Sequence, residues 1–282
     1  MWMRKYIILT LVLIGLVTIG VVSRQNKPKI TNIPTHNYVA LGDSVAAGVG
    51  LKTDSDSSAC NRTNQSYPNL IAQKMNFKIN NLACSGATLA SGILGEQEVN
   101  QLLLPAQLDQ LYKLPFPSLI TITIGANDVK WTTVINKCYT GVCGNFGDTE
   151  VVNQRIALVS ENLRNSLIQI QTFYKKSPPH VVVSGYNQVF PVNVIDCPDL
   201  TGIDQNEINW VHTQQVDLNK SISSTVGEFA FAKFASIDFT GHELCTTNSW
   251  VQGIADKQPY HPTEEGQMSF ANQIVKIVRT FK

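Results

Sequence analysis

The stretch Val39-Ala40-Leu41-Gly42-Asp43-Ser44-Val45-Ala46-Ala47-Gly48-Val49-Gly50 decides the fold. An apolar run breaks at Gly-Asp-Ser and resumes in small residues, the pattern of a buried strand that stops abruptly and turns into a helix. Ser44 falls on that turn. In an open α/β sheet its hydroxyl stands at the carboxyl edge of the strands, where such folds hold ligands, beside backbone N–H groups at a helix amino end. A serine nucleophile needs these two things, exposure to substrate and donors for the oxyanion that its attack creates. Taken alone, Gly42-Asp43-Ser44 also reads as a polar turn that caps a helix through Asp43 or Ser44.

Around this stretch, strand and helix patterns alternate. Strands are expected at 38–41, 77–82, 118–124, 180–184 and 231–237. The third of these carries the β-branched run Ile-Thr-Ile-Thr-Ile, and Pro178-Pro179 marks the start of the fourth. Helices are expected at 66–75, 105–111, 150–174, 206–226 and 263–281. In the third helix Ile156, Val159, Leu163, Leu167 and Ile170 recur at the helical period. Residues 51–64, 129–148, 185–204 and 239–262 read as loops. Five alternations predict a three-layer α/β/α sandwich with a mainly parallel five-stranded sheet, flavodoxin-like, in one domain over 36–282.

The chain has 282 residues, is 43% hydrophobic and carries a net charge of +1. That is a globular composition, without the basic footprint of a nucleic-acid binder. Arg4 and Lys5 precede an apolar run over 6–22 and then Ser23-Arg24-Gln25-Asn26-Lys27-Pro28. This predicts an export signal in 1–27, with an uncleaved membrane anchor as the alternative, followed by a linker over 28–35. An exported protein, secreted or held outside the membrane by 6–22, is the expectation. Six cysteines, all beyond the apolar run, fit an oxidising compartment, and none forms the C-x-x-C pair of a zinc site.

Four separated blocks carry a family resemblance: Gly42-Asp43-Ser44, Ala83-Cys84-Ser85-Gly86-Ala87, Gly125-Ala126-Asn127-Asp128 and His261-Pro262. In this order they resemble the SGNH (GDSL-type) hydrolases, and the resemblance spans most of the chain beyond the linker. It implies the SGNH hydrolase fold and a serine esterase or lipase that hydrolyses acyl esters. Ser44 is then the nucleophile and its N–H the first oxyanion donor. Gly86 gives a second N–H, with no side chain to block the acyl group, and the Asn127 amide gives a third. Parallel strands bring these three together, because all their carboxyl ends face one edge. Asp43 and Asp128 read as structural carboxylates.

Of the five histidines, His261 matches the last block and is the expected general base. His242 is the reserve, while His36, His180 and His212 read as packing or surface residues. The family places an Asp three positions before this histidine, and here Gln258 stands there. Either a main-chain carbonyl near Gln258 orients the ring, as in some secreted members, or Asp256 reaches in. Six cysteines allow fifteen pairings. The resemblance to secreted lipases with three bridges selects Cys60–Cys84, Cys138–Cys143 and Cys197–Cys245.

No metal and no organic cofactor is expected, and a monomer acting on a small or lipid acyl ester is the expectation for partners. Trp131, Tyr186, Phe190 and Trp250 fall in the predicted loops and either line an acyl pocket or form local core. Alternatives to the lipase or esterase reading are a polysaccharide O-acetyl esterase and a non-catalytic surface binding module on the same fold.

Overall fold

The computed structural model describes residues 36–52, 59–193 and 196–281. The segment 6–22 and the linker lie outside these residues. In chain order the elements are β1 (His36–Gly42), α1 (Ser44–Ala47), α2 (Tyr67–Met75), β2 (Phe77–Asn81), β3 (Gln97–Val99), β4 (Leu102–Leu104), α3 (Gln107–Leu111), β5 (Leu119–Thr123), α4 (Trp131–Thr140), α5 (Phe146–Tyr174), β6 (His180–Ser184), α6 (Gln205–Val226), β7 (Ala232–Ala235) and α7 (Glu264–Val278).

One five-stranded sheet has the order β2-β1-β5-β6-β7, and every neighbouring pair in it is parallel. The expected "mainly parallel" sheet is therefore entirely parallel. Helices α2 and α7 pack together, and α5 packs on α6. Because β1-α2-β2 steps one way along the sheet while β5-α5-β6-α6-β7 steps the other, right-handed crossovers put the two pairs on opposite faces. The strands read accordingly: all of β5 and the last five residues of β1 are buried, which suits a sheet covered on both faces.

Local chemistry explains the helix boundaries. Pro68 opens α2 after Ser66, and α6 begins in a capping box in which Asp204 and Glu207 satisfy each other's backbone N–H. Thr263 caps α7 by accepting from the Gly266 N–H. The stripe Ile156, Val159, Leu163, Leu167 and Ile170 is the buried face of α5.

The expected loop over 129–148 is a correction. It holds a ten-residue helix, α4, and α5 starts at Phe146 instead of at 150. Val134, Ile135 and Cys138 are buried at helical spacing, and this packing overrides the β-branched and polar residues around them. Asn145, read as a loop residue, is the cap of α5 and accepts from the Asp148 N–H. The antiparallel hairpin β3–β4 was not expected either. Three disulfides join Cys60–Cys84, Cys138–Cys143 and Cys197–Cys245, the pairing implied by the family resemblance.

Strands β1 and β5 end so close together that Gly42 pairs with Thr123, and the next residue, Asp43, donates its N–H to the Thr123 carbonyl at 3.0 Å. Gly42 has φ +139°, and a Cβ there would lie 2.3 Å from the Thr123 carbonyl oxygen. Gly42→Ala is expected to cost about 4 kcal/mol or more, a fall of roughly 8–16 °C in Tm. Gly141→Ala, whose Cβ would meet nothing nearer than 3.8 Å, is expected to leave the melt almost unchanged. Thermal unfolding of the two variants checks both statements.

Candidate active site

The carboxyl edge of the sheet gathers four strand ends. Beyond β1, Asp43 caps α1 by accepting from the Val45 N–H at 2.9 Å, which turns the chain sharply and leaves Ser44 as the first helical residue. Gly48, at φ +83°, ends α1 after a single turn. Asp43 is wholly buried, and its second oxygen accepts from the Tyr186 hydroxyl at 2.5 Å. Burial pushes its carboxyl up to about 7, against the lowering effect of the Tyr186 and Val45 bonds.

Beyond β2, the Cys84 N–H donates to the Gly42 carbonyl at 3.0 Å, and the Cys60–Cys84 bridge staples the turn. Gln97 donates from its amide to the Ser85 carbonyl at 2.8 Å. Gly86 sits exposed at the tip with φ +78°, a conformation in which a side chain is strained. Beyond β5, the Asn127 amide donates to the Ala87 carbonyl at 2.9 Å, so the two tips are tied directly to each other. Asp128 accepts from the Leu89 N–H at 3.0 Å, and burial raises its carboxyl to about 6.

The loop after β7 delivers His261. A bridge between Val251 and Pro262 closes this loop on itself, and the buried Gln252 amide contacts the carbonyls of Pro262 at 3.1 Å and Val49 at 3.4 Å. The His261 Nε2 lies 2.8 Å from the Ser44 Oγ. Its Nδ1 lies 3.1 Å from the Pro259 carbonyl and 3.3 Å from the Gln258 carbonyl. Two carbonyls can only accept, so Nδ1 carries the hydrogen and Nε2 is left as an acceptor for the serine hydroxyl. Burial of the ring lowers its pKa below 6.5, opposed by the two carbonyl contacts.

Asp256 is exposed and turned to its own loop, where it accepts from the Gly253 N–H at 2.7 Å. The carbonyl contact at Gln258 was among the sequence expectations; the closer one at Pro259 was not. The other four histidines lie elsewhere. His242 stacks flat on Trp250 at 3.6 Å, His212 contacts the Phe190 carbonyl at 2.8 Å, His180 stacks on Phe281, and His36 meets Phe77 edge-on.

Ser44, Asn127, Trp131, Tyr186, Tyr260 and His261 line a small cleft of about 80 Å³. A second hollow, bordered by Gly86 and Thr88, shares Asn127, Trp131 and Thr132 with it. Of the four aromatics considered for an acyl pocket, Trp131 and Tyr186 reach the cleft. Phe190 is completely buried in the core, and Trp250 packs on Phe239 and His242. Tyr260, which also lines the cleft, stands beside the histidine in sequence, and that adjacency was the signal for it.

The model of the GDSL-like lipase/acylhydrolase family matches residues 40–268. The chain belongs to this family. It is thus a carboxylic ester hydrolase. A lipase from Streptomyces rimosus is 29% identical over 83% of this chain and 84% of its own length. Among solved structures, phospholipase A1 from Streptomyces albidoflavus NA297 and an extracellular lipase from Streptomyces rimosus each align with TM-score 0.64 and 27% identity. Each comparison covers 86% of this chain, with 98% of the phospholipase and 99% of the lipase.

Because the ring of His261 is held neutral, its proton resonances are expected to titrate with a midpoint below 6.5 when followed by NMR. The unfolded chain binds more protons than the folded one as the pH falls through 6.5, so this residue's contribution to stability is lost on acidification. A midpoint at or above 6.5 contradicts the burial argument.

Proposed function

We propose that this protein is a serine lipase or esterase exported from the cell, acting on lipid or simple acyl esters through an acyl-enzyme on Ser44. The observation that carries this reading is the 2.8 Å contact between Ser44 Oγ and His261 Nε2, both of which line the cleft. His261 takes the serine proton as Oγ attacks the ester carbonyl, and returns it to the departing alcohol. Water, activated by the same nitrogen, then attacks the acyl-enzyme and releases the acid. The oxyanion is held by the N–H groups of Ser44 and Gly86 and by the amide of Asn127. Each such donor contributes about 3–4 kcal/mol to the transition state.

The base works as a dyad. The carbonyls of Pro259 and Gln258 fix the tautomer and ring plane, the orienting task that a carboxylate performs in a triad, and they add no charge. The lipid side of the reading is supported by relatives named lipase and phospholipase A1, and export by three disulfides, the extracellular lipase of Streptomyces rimosus and the apolar run at 6–22.

Hydrolysis of short- and long-chain p-nitrophenyl esters by protein lacking the residues before Lys27 tests this. Ser44→Ala is expected to reduce kcat by at least about 10⁴-fold. Equal rates for the two proteins overturn the mechanism, and activity confined to acetyl esters overturns the lipid reading. Asp256→Asn is expected to keep kcat within about threefold, whereas neutralising a triad aspartate costs about 10⁴. A loss of that size removes the dyad.

A further inference from the structure

Tyr186 has a use beyond walling the cleft. It is 8% exposed, and its hydroxyl donates to Asp43 Oδ2 at 2.5 Å while accepting from the Ala126 N–H at 3.1 Å. Asp43 immediately precedes Ser44, and Ala126 immediately precedes Asn127. One oxygen atom therefore joins the turn that presents the nucleophile to the turn that presents the amide donor. No other side chain among the described residues hydrogen-bonds to both turns.

The backbone of Tyr186 is itself held by side chains of α6. Its N–H donates to Asn219 Oδ1 at 2.9 Å, and its carbonyl accepts from Asn219 Nδ2 at 2.9 Å and from Gln215 Nε2 at 3.1 Å. Both amides project from α6, one of the long helices, so the tyrosine backbone is clamped to a rigid element. Gly185 makes the clamp fit: a Cβ there would lie 2.7 Å from Asn219 Oδ1 and 2.9 Å from the ring of Phe234. A tyrosine needed only as an apolar wall has no use for a doubly bonded hydroxyl or a clamped peptide.

We propose that Tyr186 is a positioning residue for the oxyanion site: its hydroxyl sets the distance between Ser44 and Asn127, acting on the acyl group only through them. The inference rests on the serine mechanism proposed above and on Asn127 as one of its donors. Removing the hydroxyl leaves the ring as wall and the cleft in shape, so substrate still binds. What is lost is the fixed spacing of nucleophile and donor, which matters in the transition state and not in the ground state.

The test is Tyr186→Phe in the full chain, with p-nitrophenyl butyrate as substrate and kcat counted per active serine, titrated with a fluorophosphonate. The expected result is a fall in kcat of about 10- to 100-fold with KM within about twofold. Combined with Asn127→Ala, the second change is expected to add less than about threefold, because both act on one donor. Asn219→Ala, at a residue that does not line the cleft, loosens the same tyrosine and is expected to lower kcat in the same direction by a smaller factor. It serves in place of Tyr186→Phe if that variant does not fold.

Unchanged kcat per active serine in Tyr186→Phe overturns the inference, as does a full multiplicative loss in the double variant. A rise in KM with constant kcat assigns the tyrosine to substrate binding and also overturns it. Ser44→Ala separates the two levels. If it stays active, the serine mechanism itself is wrong; if it is dead while Tyr186→Phe is normal, only the positioning role is.

Discussion

The site depends on how closely β1 and β5 end beside each other. Their last residues pair as Gly42 and Thr123, and the hydrogen bond from Asp43 N–H to the Thr123 carbonyl extends the ladder one residue past the strand. The chain can turn out of the sheet into Ser44 at that point only if nothing stands between the two backbones, which is why a residue without a Cβ is required. Thr123 is fixed in turn from the other side, its hydroxyl lying 2.6 Å from both the Tyr67 and the Ser184 hydroxyls. A buried chain of hydroxyls thus runs from α2 through β5 to β6 beneath the edge that carries Ser44. Such a chain resists sliding, because moving one strand leaves buried oxygens unpaired.

Neutral amides do the rest of the holding. Gln107 grips both sides of Gly42, accepting from its N–H at 2.8 Å and donating to its carbonyl at 2.9 Å. Gln267, from α7, accepts from the Tyr67 N–H at 2.7 Å and donates to the Val45 carbonyl at 3.0 Å. Gln252 ties the histidine loop to the end of the nucleophile turn, and Asn219 clamps the loop after β6. An amide offers a donor and an acceptor in one plane, so it can satisfy two orphaned backbone groups without bringing a charge into the interior. Several loops without regular structure stay in place by this means. The spacing of the groups proposed to react, which tolerates errors of well under an ångström, is thus set by buried side chains outside the proposed chemistry.

The sequence made the strands, the long helices and the convergence of Ser44, Asn127 and His261 at one sheet edge legible, because each has a local signature: β-branched runs, a 3.6-residue apolar period, Gly42 before Asp43 and Gly125-Ala126 before Asn127. The clamping glutamines were not legible. A glutamine that bonds a backbone 65 residues away looks the same in sequence as one facing solvent, and its meaning exists only once the strands are assembled. Helix α4 was hidden for a related reason: its β-branched and polar residues argue against a helix, and it is held by packing of Val134, Ile135 and Cys138 that only the fold supplies. Tyr186 was recognised as a loop aromatic, yet the direction of its hydroxyl follows from the Asp43 and Ala126 positions, which come from two different strands.

The field around the cleft bears on how a histidine without a carboxylate partner can serve in the proposed dyad. A triad aspartate stabilises the imidazolium but also places a negative charge near a transition state that is itself gaining one. Here two carboxyls at the edge, Asp43 and Asp128, are pushed up by burial to about 7 and about 6. Their oxygens are also spent on backbone N–H groups and on the Tyr186 hydroxyl. In the proposed mechanism the imidazolium formed on His261 meets two carbonyl dipoles aimed at Nδ1, with no carboxylate among the described residues bonded to the ring. Fixed dipoles in a site of low polarity stabilise both ends of the developing ion pair with no reorganisation. Replacing the aspartate with main-chain carbonyls thus weakens the grip on the cation while removing a repulsion on the anion, and Gln258 in place of Asp is consistent with that balance.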